Sequence, residues 1–372
     1  MLKEHWEYVS DSLRLEQFGV AVAQVVRPGA RVVDVGCGSA VLGLMCLQAG
    51  AAHVYAIDST DAIEVARELL ARSGWAGQAD FIHGSSYQVE LPQKADVVIC
   101  DHVGYFGFDY GLIEMLADAR CRFLKPGGIL IPGRLKLHLA AVESEKCRAL
   151  ADGWKAPGVP SEFHWLRQYG VNTKYAVNLQ PDEVLSGHME LACIDLHADN
   201  PDFFSWTTEL TVARDGALHG LAGWFECELA DGIWMTNSPV SDRAIKRPQA
   251  FLPIAETLTV KTGDVVSVTV MARPSDNLLA WELRHLASGK KFSHSTWLGS
   301  LLADGQLHGS HPEHVPQLTR TAQARNVVLA YCDGERSVSQ IQEAVRREHP
   351  DLFPSGKEIV RFVGSVLGSN TK

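Results

Sequence analysis

Acids and glycines crowd the end of the first apolar run. Asp34-Val-Gly36-Cys-Gly38-Ser-Ala40 closes Arg31–Val35 and opens the helical stretch Val41–Ala49. Glycine at such a turn lets the backbone approach a ligand without a Cβ clash, and the helix start offers free N–H donors. A bare Gly-x-Gly also serves strand–helix turns on steric grounds alone. Two further acids narrow the reading. Asp58 ends the second apolar run, Val54–Ile57, where a carboxylate can hold a ribose diol, and Asp101 ends Ala95–Cys100. Open α/β sheets bind ligands outside the carboxyl ends of their strands, which is where both acids fall. Asp-x-Gly-x-Gly with an acid ending the second strand points to S-adenosylmethionine more than to a dinucleotide or a structural turn.

The residues after Asp101 could handle an acceptor. His102 is an imidazole, whose ordinary pKa lies near working pH and suits a general base; its other reading is a hydrogen-bonded structural histidine. Tyr105, Asp109 and Tyr110 follow within one loop. Methyl transfer needs chiefly in-line positioning of a nucleophile, so a modest clamp from Asp101, Tyr105 and Asp109 suffices for it. Tyr105 and Phe106 read equally well as packing residues.

The elements that must position these residues alternate strand and helix. After Asp58 comes a helix over Asp61–Gly74, with Asp61 and Glu64 reading as a capping box. Strands follow at Asp80–His83 and Ala95–Cys100, then a helix Leu112–Phe123, a Lys125–Gly128 turn and a strand Ile129–Ile131. This alternation implies a doubly wound α/β domain with a parallel sheet. Beyond about residue 145 the texture changes. Cys147–Leu179 is irregular and aromatic, and alternating strands from Glu190 to Leu283 suggest an antiparallel β-sandwich or barrel. A polar, His-rich connector, Leu301–Pro316, precedes a helix at Ala322–Tyr331. Two further helices open at Ser337 and Ser355, with Val338, Ile341 and Val345 on one face of the first and Ile359, Val363 and Val366 on one face of the second.

Composition bounds the rest. A chain of 372 residues has room for two domains and a small third. A net charge of -10 speaks against gripping nucleic acid by bulk charge. No apolar run nears the roughly 18 residues of a membrane span, and Met1–Ser10 lacks the apolar core of a secretory signal, so a cytoplasmic protein is expected. The 8 cysteines include no Cys-x-x-Cys pair and read as buried thiols. His308, His311 and His314 sit in a loop marked by Gly309 and Pro312, with no aspartate or cysteine joining them, and no metal is expected.

Taken together, residues 1–285 resemble the protein arginine methyltransferases. HxxYVSDSLRLEQF at His5–Phe18, ADVVICDHVGYF at Ala95–Phe106, KPGGILIP, TNSP at Thr236–Pro239 and LTVKTGDVV at Leu258–Val266 carry the likeness. The resemblance implies a Rossmann-like S-adenosylmethionine domain over 1–143 and a β-barrel domain over 144–300. It further implies a homodimer formed through an arm near 147–171. By it, Arg14 would pair with the cofactor carboxylate and Asp58 would hold the ribose. Asp34, Gly36, Gly38, Ser86 and Asp101 complete the cofactor set.

The departures bear on the acceptor. The family clamps a guanidinium between two loop glutamates; here those positions hold Asp101, one methylene shorter, and Tyr110, with Asp109 beside it. The family's Thr-His-Trp loop aligns to Ala244-Ile245-Lys246, and Lys246 either opposes a bound cation or faces solvent. Residues 316–372 faintly resemble PqqD-like winged-helix modules that bind leader peptides, or else form a helical cap. The expectation is an N-methyltransferase acting on a peptide side chain, with arginine and histidine as candidates, or on a small amino-acid-like metabolite in specialised metabolism. The alternatives are a natural-product O-methyltransferase and a catalytically silent, peptide-recruiting subunit.

Overall fold

The computed structural model describes residues 2–302, 311–353 and 355–371. It divides into two compact units, Met1–Leu301 and Leu302–Lys372. Five parallel strands centre the first: β1 (Arg31–Val35), β2 (His53–Asp58), β3 (Ala79–His83), β4 (Ala95–Ile99) and β5 (Leu124–Ile131), in the order β3-β2-β1-β4-β5. Val32, Val33 and Val35 are all buried because helices cover both faces of the sheet. The chain winds outward from β1 to β3, then returns to place β4 beside β1. This reversal opens a crevice between the carboxyl ends of β1 and β4, the general ligand position in such sheets.

The helices are α1 (Leu2–Val9), α2 (Ser12–Val25), α3 (Val41–Gln48), α4 (Ala62–Arg72) and α5 (Leu112–Arg122). In α4, Ala62, Ile63, Ala66 and Leu70 face the sheet while Glu64, Glu68 and Arg72 face water. The Asp61–Glu64 capping box does not form. Asp61 already has helical dihedrals and makes no side-chain cap, while Thr60 Oγ1 accepts from Ala62 N at 3.3 Å. The Lys125–Gly128 segment is likewise a bulge inside β5 and not a turn before it: Ala95 pairs with Leu124, but Val97 pairs with Ile129.

The antiparallel part follows. Strands β6 (Arg134–Val142), β7 (Tyr175–Val177), β8 (Met189–Asp195), β10 (Gly216–Ala230), β11 (Ile233–Thr236) and β12 (Gln249–Val260) form one sheet in the order β7-β12-β10-β6-β8, with β11 on β10. Strands β9 (Phe204–Thr211), β13 (Val265–Arg273), β14 (Leu278–His285) and β15 (Lys291–Ser295) form the other, in the order β15-β14-β13-β9. Val266, Val268, Val270 and Ala272 alternate inward along β13, and Leu279, Trp281 and Leu283 do so along β14. Trp281 Nε1 donates to Pro253 O at 2.8 Å, and Ala255 N donates to His294 Nε2 at 3.1 Å, tying the sheets into a β-barrel. Between β6 and β7 lie α6 (Glu145–Asp152), capped by Ser144, and α7 (Arg167–Gly170).

Among its described residues the second unit has the helices α8 (Arg320–Ala330), α9 (Val338–Glu348) and α10 (Gly356–Asn370). The Ser337–Gln340 capping box forms in full, and Ser355 accepts from Glu358 N. Ile341, Val345, Ile359, Val363 and Val366 pack with Val328 in a core of the unit's own. Val338 does not join them: as the first helical residue it lies beyond the buried stripe and is exposed. His308 lies outside the described residues, and no described helix is long and apolar enough to cross a membrane.

Because that core is small, Ile341→Ala should cost the unit about 2–5 kcal/mol. In hydrogen exchange, amides of α8–α10 should lose protection while those of β1–β5 keep theirs. Unchanged protection in α8–α10 would contradict the packing.

Candidate active site

The glycine turn and its acids converge at the β1–β4 crevice. Gly36 and Gly38 have φ of 65° and 53°, and Ala40 follows at 56°, all in the region that favours glycine. Asp58 fixes the turn: its Oδ2 accepts from Gly38 N at 2.8 Å, and its Oδ1 accepts from Thr60 N and Oγ1 at 2.8 and 2.6 Å. Asp34 Oδ2 accepts from Gly43 N at 2.9 Å, bracing β1 against α3. Burial pushes the Asp34 carboxyl up to about 7; the Gly43 bond opposes this, and the nearby Asp58 and Asp101 charges add to it.

Asp101 leaves β4 directly into a buried ion pair with Arg14 of α2, both residues being under a tenth exposed. Tyr8 of α1 completes the cluster, with the Arg14 guanidinium 3.7 Å above its ring. His102 turns the other way. A Cβ on Gly36 would lie 2.5 Å from its Nε2, so the imidazole rests on the cofactor turn. Burial lowers the His102 pKa, opposed by Asp101 and Asp58, which keeps the ring neutral and able to accept a proton. His5 of α1 packs likewise against Gly38, so α1 lies over the turn as a cover.

The acceptor loop is anchored from the barrel. The buried Asn237 donates to Tyr105 O at 2.9 Å and to Pro248 O at 2.6 Å, and accepts from Phe225 N at 3.0 Å. Arg247 donates to Val103 O at 2.9 Å. Asp109 folds back under the loop, accepting from Phe106 N at 2.6 Å and pairing with the buried Lys174. Tyr105 lies beside that pair, with the Lys174 ammonium 4.9 Å from its ring centre.

Among the residues the sequence singled out, Arg14, Asp34, Gly36, Gly38, Asp58, Asp101 and His102 therefore come together. Tyr105 and Asp109 lie in the adjoining loop, both beside Lys174. Tyr110 stands apart, 67% exposed with φ of 63°. Ser86 lies on a separate short turn after β3, its carbonyl bonded by Arg122. Lys246 is exposed; its backbone N–H donates to Asp11 Oδ2 at 2.7 Å. The inward cation is its neighbour Arg247, whose pKa burial and Arg14 both lower.

Four participants escaped the sequence reading. Tyr8 sits inside the quoted His5–Phe18 stretch and Asn237 inside TNSP, so both had a local signal. Arg247 had only its place beside Lys246. Lys174 had none, since it reaches Asp109 from 65 residues away.

The site suits S-adenosylmethionine on its own geometry. Among the described residues Arg14 Nε is buried without a hydrogen-bond partner, a cationic donor left over for a carboxylate. Asp58 uses three donors and a carboxylate offers about four lone-pair sites, which leaves capacity for a hydroxyl.

Comparisons with known proteins agree with this arrangement. The family described as ribosomal protein L11 methyltransferase (PrmA) matches residues 19–170, and the arginine methyltransferase oligomerization subdomain matches residues 134–284. Protein arginine N-methyltransferase 1 of Schizosaccharomyces pombe is 27% identical over 296 residues, covering 73% of this chain and 82% of the relative. Probable protein arginine N-methyltransferase 6.2 of Oryza sativa subsp. indica is 29% identical, covering 65% of this chain and 62% of its own length. Among solved structures, protein arginine methyltransferase 10 of Arabidopsis thaliana superposes with a TM-score of 0.70 at 23% identity, over 80% of this chain and 98% of that one. The Trypanosoma brucei PRMT1 enzyme–prozyme complex with AdoHcy gives 0.71 at 17% identity, over 79% and 98%. Both share this fold.

Asp34 yields a pH prediction. A carboxyl whose folded pKa is raised stabilises the fold fully below its ordinary value of about 3.9, and that contribution is lost as pH climbs through about 7. Asp34→Asn keeps an acceptor for Gly43 N but cannot ionise. Its thermal midpoint should therefore fall less than that of the wild type between about pH 4 and about pH 8. Parallel curves for the two proteins would show that Asp34 does not titrate in this range.

Proposed function

We propose that this chain, a protein-arginine-methyltransferase-like enzyme dependent on S-adenosylmethionine, methylates nitrogen on a peptide side chain or a small amino-acid-like metabolite in specialised metabolism. The observation that carries this reading is the contact between His102 and Gly36, which sets the acceptor loop against the cofactor turn. The bound cofactor supplies an electrophilic methyl group. Arg14 would hold its carboxylate and Asp58 its ribose hydroxyls, while Gly36 and Gly38 add no Cβ of their own to the turn. Asp101 orients the incoming nucleophile, and the neutral His102 accepts the proton that the nitrogen sheds. The clamp departs from the two-glutamate pattern because the second position, Tyr110, faces solvent and the neighbouring Asp109 is folded under the loop and paired with Lys174.

Calorimetry with S-adenosylhomocysteine should show binding, weakened roughly tenfold or more in Asp58→Ala, which removes charge-assisted bonds worth about 1.5–3 kcal/mol. Isotope-labelled S-adenosylmethionine, offered with arginine, histidine and peptide acceptors, should pass its label to nitrogen. Wild-type affinity in the variant, or label found only on oxygen, would defeat the reading.

The same reading takes the chain as a homodimer through the arm at residues 147–171, which carries the exposed Trp154, Phe163 and Trp165. Light scattering should give a dimer for the wild type and a monomer for Trp165→Asp. A monomeric wild type would refute it.

A further inference from the structure

Every carboxylate of the acceptor loop is already matched from within the chain. Asp101 is paired by Arg14, and Asp109 by Lys174. The Lys174 and Asp109 side chains are only 7% and 3% exposed, so their pairing is not a surface accident. The Lys174 ammonium also lies 4.9 Å from the Tyr105 ring centre and 5.9 Å from that of Phe108. A carboxylate flanked by aromatic faces is the recognition set for an organic cation. Here the protein's own lysine occupies it. Arg247, held on the carbonyls of Val103 and Gly104, brings a third cation to the same loop. Three cations face two loop carboxylates.

We propose that Lys174 is a specificity-determining residue: it fills the cation subsite made by Asp109, Tyr105 and Phe108, so the enzyme excludes guanidinium-bearing acceptors and takes nitrogen that arrives uncharged. The inference rests on the methyl-transfer reading above and names its acceptor class. A guanidinium entering beside Asp101 would find that carboxylate neutralised and like charges around it. A neutral imidazole meets no such penalty and can still be oriented by Asp101.

The test is calorimetry on the protein saturated with S-adenosylhomocysteine, using the pentapeptides Gly-Gly-Arg-Gly-Gly and its citrulline counterpart, an uncharged isostere of arginine. The wild type should not prefer the arginine peptide. Lys174→Met, which keeps the apolar stem and removes the charge, should bind the arginine peptide at least tenfold more tightly than the wild type does. Lys174→Arg should behave as the wild type. Where Lys174→Met loses its folding transition, Lys174→Gln takes its place. A wild type that favours arginine over citrulline tenfold overturns the proposal, as does a folded neutral variant that gains no affinity for the arginine peptide. Failure to bind S-adenosylhomocysteine at all would instead strike the methyl-transfer reading.

Discussion

The buried ion pair between Arg14 and Asp101 is the constraint from which the site is built. Desolvating two charges costs nearly what their attraction returns, so such a pair contributes little net stability. Removing one partner costs about 3–5 kcal/mol, because the other is left buried and uncompensated. The pair therefore fixes geometry. It pins the first turn of α2 to the end of β4 and seats Tyr8 over the guanidinium. Asp11, the N-cap of α2, extends the linkage by accepting from Lys246 N. Helix, sheet and barrel segment thus meet around one guanidinium.

Charge balance governs what surrounds that pair. Asp34 stays near its titration point because burial and two neighbouring acids act together, whereas Asp58 spends its oxygens on three donors. On the acceptor side, cations from three distant stretches, Arg14, Lys174 and Arg247, converge on one loop. The cofactor turn is accordingly lined by acids and backbone donors, and the acceptor loop by acids already spoken for.

Much of this was legible in the chain because it is local. The apolar run of β1, the glycines with positive φ and the acids ending β2 and β4 each sit within a few residues of what they serve. The α/β alternation and the alternating barrel strands were legible for the same reason. Position on a face was harder. Val338 shares the heptad stripe of Ile341 and Val345 yet is exposed at the helix start, and Lys246 drew attention that belonged to Arg247. Tertiary charge pairing was not legible at all. No spacing rule joins Lys174 to Asp109, or Arg14 to Asp101, since those pairs exist only once sheet and barrel have folded. The Asp61 cap failed for a related reason: Thr60, held by Asp58, had already set the helix entrance.

Asn237 and Arg247 hold the acceptor loop by its main-chain carbonyls, at Val103, Gly104 and Tyr105. A grip on the backbone is indifferent to which side chains the gripped residues carry. The loop can therefore exchange its outward chemistry while its path stays fixed. For anyone seeking to redirect this scaffold to a new acceptor, the half-buried Tyr105 is the position to vary, while the fully buried Val103 and the barrel residues that suspend the loop are the ones to leave alone.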